Sequence, residues 1–172
     1  IIRYQSRNVQ ETETTDKTVS EDFSLIPSIG RIAALDLGTK RIGVAVCDEH
    51  RNIASPLPRL DRTSWKKLLI DVSAILAEYD AKALVIGLPL ESDGAESEMS
   101  KIAGDSARKF ALSLGIPVYL QDERATSHAA RANLWERGIS TSETSSLVDS
   151  EAAAIILTDF IDKISKNAND SE

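Results

Sequence analysis

The sequence predicts an α/β domain, a mixed five-stranded sheet covered by helices on both faces. Two apolar segments, Arg31 to Leu35 and Ile42 to Val46, are separated only by a short turn containing Asp36 and Gly38, so the chain opens as a strand-turn-strand unit. Further on, Ala83 to Gly87 (ALVIG) is a continuous apolar run of the kind carried by a strand buried on both sides. Segments with helical periodicity separate the later strands. A sheet that begins as a hairpin and continues by crossovers is therefore expected.

Each element follows in chain order. Residues 1–30 are rich in Thr, Ser, Glu and Asp without a regular period, and are expected to form a flexible tail, with FSLIPSIG able to pack locally and Pro27 and Gly30 marking its boundary. The domain proper is placed at residues 31–164. In Asn52 to Leu60, Pro56 and Pro58 exclude a helix and confine the third strand to a sheet edge. Ser64 caps a helix in which Trp65, Leu68, Leu69, Val72, Ile75, Leu76 and Tyr79 recur at spacings of three and four. The polar stretch LESDGAESEM leads into a helix bearing Ile102, Ala103, Ala107, Phe110, Ala111 and Leu114, ended by Gly115. Pro117 to Gln121 supplies the fifth strand, directly followed by Asp122, Glu123 and Arg124. A helix from about Thr126 to Trp135 or Glu136, a loop ISTSETSS, and a last amphipathic helix from Leu147 to Ile164 complete the domain, leaving residues 165–172 as a second tail. Asp149 falls in the first turn of that last helix.

With 172 residues the chain builds one domain with a real core, but not two full-sized ones. No apolar run approaches the roughly 20 residues of a membrane span. The opening IIRYQSRNVQ lacks the apolar core of a secretory signal, and a cytoplasmic location without membrane contact is expected. The lone Cys47 sits in an apolar strand and is read as a packing residue. A net charge of −7 means that any nucleic-acid surface must gather its bases on one face. Lys40, Arg41, Arg51, Arg59, Arg62, Lys66 and Lys67 do lie within one short stretch, and Arg124, Arg131 and Arg137 recur later.

Three acidic residues hold comparable positions: Asp36 at the end of the first strand, Glu123 after the fifth, and Asp149 at the last helix. Carboxylates gathered at one sheet edge repel each other unless a cation neutralises them, and oxygen ligands without a Cys/His cluster favour Mg²⁺ or Mn²⁺. An ion so held can activate water for in-line displacement at a phosphodiester. Each residue also has a purely structural reading. Asp36 could be a turn former, Glu123 a surface partner of Arg124, and Asp149 a residue favoured by the helix dipole. Thr126, Ser127 and His128 are better explained as capping residues at a helix start than as a nucleophile and base.

LDLGTKRIGVAVCD, ASPLPRL, LVIGLPLESDG, VYLQDERATS and LVDSEAAAIIL, in this order and spacing, resemble the YqgF family of RNase H-like proteins over about Arg31 to Asp162. Members of that family are described as Holliday junction resolvases and as pre-16S rRNA nucleases. The resemblance implies an RNase H-like sheet of order 3-2-1-4-5 with the second strand antiparallel, and a Mg²⁺- or Mn²⁺-dependent nuclease maturing the 5′ end of 16S rRNA. It carries the catalytic and metal roles onto Asp36, Glu123 and Asp149. It also places Lys40, Arg41 and Arg124 near the substrate, with Asp93 and Gly94 in a loop beside the site. In that order the fifth strand lies two places from the first, so Glu123 must reach across the end of the fourth strand, where Gly87 offers no side chain to obstruct it.

The chain departs from the family in two places. The loop ISTSETSS has no base where relatives often carry lysines, which implies weaker and less salt-sensitive substrate binding, and Glu91 stands where Asn is common. Other readings are a resolvase of branched DNA, which needs a symmetric homodimer rather than a monomer, and a non-catalytic RNA-binding module. DLGT also resembles the phosphate loop of the actin, hexokinase and Hsp70 type of ATP-binding protein. Those need two similar lobes, and this chain can build only one.

Overall fold

The computed structural model describes residues 19–125 and 144–169. Its strands are β1 (Ile32–Leu37), β2 (Arg41–Cys47), β3 (Ala54–Asp61), β4 (Ala83–Leu88) and β5 (Val118–Asp122), and its helices are α1 (Trp65–Glu78), α2 (Glu98–Ser113) and α3 (Thr144–Asn169). They form one sheet in the order β3-β2-β1-β4-β5. β1 pairs antiparallel with β2 and parallel with β4, and β4 pairs parallel with β5. This is the expected mixed topology, with β3 on an edge where its prolines cost no central ladder bonds.

Alternation along β1 divides the core in two. Ala33, Leu35 and Leu37 face one layer, where they join Leu68, Val72 and Leu76 of α1 and Ala103, Ala107 and Phe110 of α2. Ile32 and Ala34 face the other, with Ala153, Ile156, Leu157 and Phe160 of α3. Both faces are thus sealed, which is why β1 and β4 read as unbroken apolar runs. Trp65 packs against Phe110 with ring centroids 4.7 Å apart and planes tilted by 59°, and ties α1 to α2. Ser64 caps α1 by accepting from the Lys67 N–H, as its position implied. Cys47 is buried, with Sγ accepting from the Ile32 N–H at 3.1 Å, in keeping with a packing role.

Three boundaries differ from the sequence reading. The N-terminal tail does not extend to residue 30: the Ser20 N–H donates to the Val118 carbonyl at 2.8 Å, and Tyr119 Oη donates to the Asp22 carbonyl at 2.8 Å. Phe23 meets Phe160 edge-on, so residues 19–30 cover the outer edge of β5 and the end of α3. At the other terminus helix continues through Asn169 instead of fraying after Ile164. α3 also starts three residues earlier than expected, at Thr144, which puts Asp149 in its second turn. The helix dipole acts chiefly within the first turn and so no longer accounts for that carboxylate. The helix expected from Thr126 to Glu136, with Thr126, Ser127 and His128, and most of the loop ISTSETSS lie outside the described residues.

Candidate active site

The site is built on the α3 face of the sheet, where one position on each of four strands lies side by side. Asp36 pairs with Gly43 of β2, and Gly87 pairs with Gln121 of β5. The β1–β4 register, with Leu35 opposite Ile86, brings Gly87 level with Asp36 on its other flank. Asp36 is the penultimate residue of β1, still inside the sheet, and stands between two glycines.

Each glycine admits something that a side chain would exclude. A Cβ on Gly43 would lie 2.1 Å from the Asp149 carbonyl oxygen, so the backbone of α3 rests directly on β2 there. A β-bulge between Ile42 and Val44 interrupts the β2–β3 ladder, and the Val44 N–H donates to Ser150 Oγ at 3.0 Å, in a fully buried bond. That bond fixes α3 against the sheet and sets Asp149 beside Asp36. A Cβ on Gly87 would lie 2.3 Å from Glu123 Oε1 and 2.5 Å from Ile156 Cδ1. Glu123, in the 3₁₀ turn after β5, therefore extends its carboxylate over the end of β4 toward β1, the reach that the strand order required.

Charge tightens the picture. Burial raises the Asp36 carboxyl above the ordinary carboxylate range, and the nearby charge of Asp149 raises it further. Asp149 accepts from Arg59 Nη1 at 2.8 Å, with Arg41 Nη1 3.6 Å away on the same oxygen. Asp36 and Asp149 line a shallow pocket with Gly38, Thr39, Lys40, Arg41 and Gly43. Glu123 does not line this pocket, and among the described residues no three His, Cys, Asp or Glu side chains are gathered closely enough to share a metal ion. The structure thus unites Asp36 with Asp149 and leaves Glu123 one strand away.

The remaining candidates are placed as follows. Lys40 and Arg41 border the pocket at the β1–β2 turn. Asp93 accepts from the Ala95 N–H at 2.9 Å within the loop after β4, and Gly94 holds a positive φ of 87°. Arg124 is clasped by Asp122, Nη2 to Oδ2 at 2.6 Å, and rests against Gly94, with Nη1 2.9 Å from where a Cβ would be. Its ion-pair partner is therefore Asp122 rather than Glu123, and that pairing holds the Asp122 carboxyl below its ordinary range. Two residues with a part in the site had no assigned role in the sequence reading. Arg59 stood out only as one of several bases, and Ser150 carried no signal beyond its place after Asp149. Gln121, 5% exposed and on the same face of the sheet, carries an Oε1 with no hydrogen-bond partner among the described residues.

A mixed 3-2-1-4-5 sheet with an acid in its central strand, and a long helix bringing a second acid to it, defines the RuvC-like class of folds. RuvC of Thermus thermophilus bound to a Holliday junction superposes with a TM-score of 0.50 at 18% identity, over 78% of this chain and 94% of that one. Residues 30–163 match the family model described as RuvX: Holliday junction resolvase, and the chain belongs to that family. A protein of Novosphingobium aromaticivorans named as a candidate pre-16S rRNA nuclease is 40% identical over 139 residues, 81% of this chain and 89% of its own length. One from Rickettsia felis with the same name is 33% identical over 150 residues, 87% of this chain and 97% of its own.

Proposed function

We propose that this protein is a metal-dependent nuclease that hydrolyses phosphodiester bonds in the 5′ region of pre-16S rRNA, in the cytoplasm. The observation that carries the reading is the Gly43–Asp36–Gly87 alignment, in which the α3 backbone at Asp149 rests on one flank of a half-buried carboxylate and Glu123 Oε1 lies over the other. The family and the names of its relatives support the substrate class. No helix among the described residues is long and apolar enough to cross a membrane.

The donor set suits a hard dication. Asp36 and Asp149 offer only oxygen and line one pocket, where burial and then the charge of Asp149 raise the Asp36 carboxyl, so a cation held between them relieves the repulsion. Asp36 and Asp149 would hold Mg²⁺ or Mn²⁺, with Glu123 completing the set from above Gly87. When bound, the ion supplies an activated water and stabilises the leaving oxygen. The protein's own groups do the positioning. Lys40 and Arg41 meet backbone phosphates at the pocket rim, while Asp122 and Arg124 brace the Asp93–Gly94 loop alongside.

The test is cleavage of a pre-16S 5′ fragment and of a four-way DNA junction with Mn²⁺, comparing wild type with Asp36→Asn. Metal-dependent RNA cleavage lost in the variant is expected. Preferential cutting of the junction would move the assignment to branched DNA, and equal RNA binding with no cleavage by either protein would leave only a binding module.

A further inference from the structure

We propose that Arg59 is the resident counter-charge of Asp149, which a dication displaces and which is thereby released to hold a substrate phosphate. The inference rests on the metal-dependent reading above and adds a residue to it.

Arg59 lies on the edge strand β3, across β2 from Asp36, and its Nη1 is 2.8 Å from Asp149 Oδ2. Its side chain is 22% exposed, against 57% for Arg41, which stands 3.6 Å from the same oxygen. The shorter, more buried bond is less screened, so Arg59 is the dominant of the two partners. Asp149 lies near enough to Asp36 for its charge to raise that carboxyl, and partial burial limits how far water offsets the repulsion. The Arg59 guanidinium supplies that offset.

A dication that takes Asp149 Oδ2 repels the guanidinium and draws electron density from the oxygen that accepts its hydrogen bond, so it loosens the Arg59 bond. The displaced guanidinium remains tethered to β3 at the pocket's border. Its planar donor fork matches a phosphate, and Ile139 to Ser146, the segment leading to Asp149, contains no Lys or Arg to do so. The same side chain thus stabilises the metal-free site and binds substrate in the loaded one.

The test uses the full chain, with Mn²⁺ alone as the first probe and a pre-16S 5′ fragment as the second. Mn²⁺ affinity is read by calorimetry and by the loss of free-ion paramagnetic resonance signal. Arg59→Gln is expected to bind Mn²⁺ about threefold to tenfold more tightly than wild type, since its competitor is gone, and to bind the RNA more weakly once loaded. Arg59→Lys should fall between the two, and Arg41→Gln should change Mn²⁺ affinity less. If Arg59→Gln does not fold, Arg59→Lys carries the comparison. Wild-type binding of Mn²⁺ with unchanged or weaker binding by the Arg59 variants overturns this proposal while leaving the nuclease reading intact. Failure of both wild type and variants to bind Mn²⁺ overturns both.

Discussion

Glu123 occupies the space that any side chain on Gly87 would need, with Oε1 2.3 Å from the position of a Cβ there. Gly87→Ala is therefore expected to evict the carboxylate and press on Ile156. Because a misplacement of about 1 Å in a catalytic group can cost on the order of 100-fold, cleavage should fall by roughly that factor, with a stability loss of about 1–3 kcal/mol. Parallel cleavage assays and urea melts check this. Full activity in Gly87→Ala would remove Glu123 from the mechanism.

Gly43→Ala should be worse for stability than for any single catalytic contact. The added carbon meets the Asp149 carbonyl at 2.1 Å, and a helix backbone cannot rotate away as a side chain can. A loss of about 3 kcal/mol or more is expected from this overpacking, larger than for Gly87→Ala. Denaturant midpoints of the two variants decide the order.

Ser150 accepts from the Val44 N–H beside the β-bulge, and it is fully buried. Ser150→Ala leaves that donor unpaired, at a cost of about 1–3 kcal/mol. Hydrogen exchange at Val44 should accelerate in the variant relative to the rest of β2. An unchanged exchange rate there would mean the bond does not hold α3 to the sheet.

The raised Asp36 carboxyl gives a pH signature in the absence of metal. The native state keeps that proton at pH values where the unfolded chain has released it. The stabilisation is fully present below the unfolded-state value and is lost as pH rises through the raised native one. Metal-free wild type should therefore lose stability as pH rises from the unfolded-state value through the raised native one. Asp36→Asn should flatten that slope and be the more stable protein at neutral pH. Urea midpoints measured in chelator across the range test it, and parallel slopes for the two proteins would contradict it.

Much of this was present in the order of residues. Continuous apolar runs marked β1 and β4 because both of their faces are covered, and three-and-four spacing marked α1 and α2 because each buries one stripe. The acids Asp36, Glu123 and Asp149 were singled out because their places after two strands and near a helix start bring carboxylates toward one sheet edge, where they repel each other. The ends of the domain were harder to read. Phe23 and Ile26 lie in FSLIPSIG, a short stretch without a helix or strand period, and only their contacts with Tyr119, Phe160 and Ile161 give them a place.

The sequence by itself determined the sheet's composition and its helical layers, and it singled out three acids as candidates, because local periodicity and residue chemistry act over a few positions. Only the tertiary structure decided that Gly43 and Gly87 flank Asp36, that Ser150 anchors α3, and that Arg59 pairs with Asp149. Those relationships join residues up to 106 positions apart, and they arise from strand register and helix docking, which no local pattern encodes.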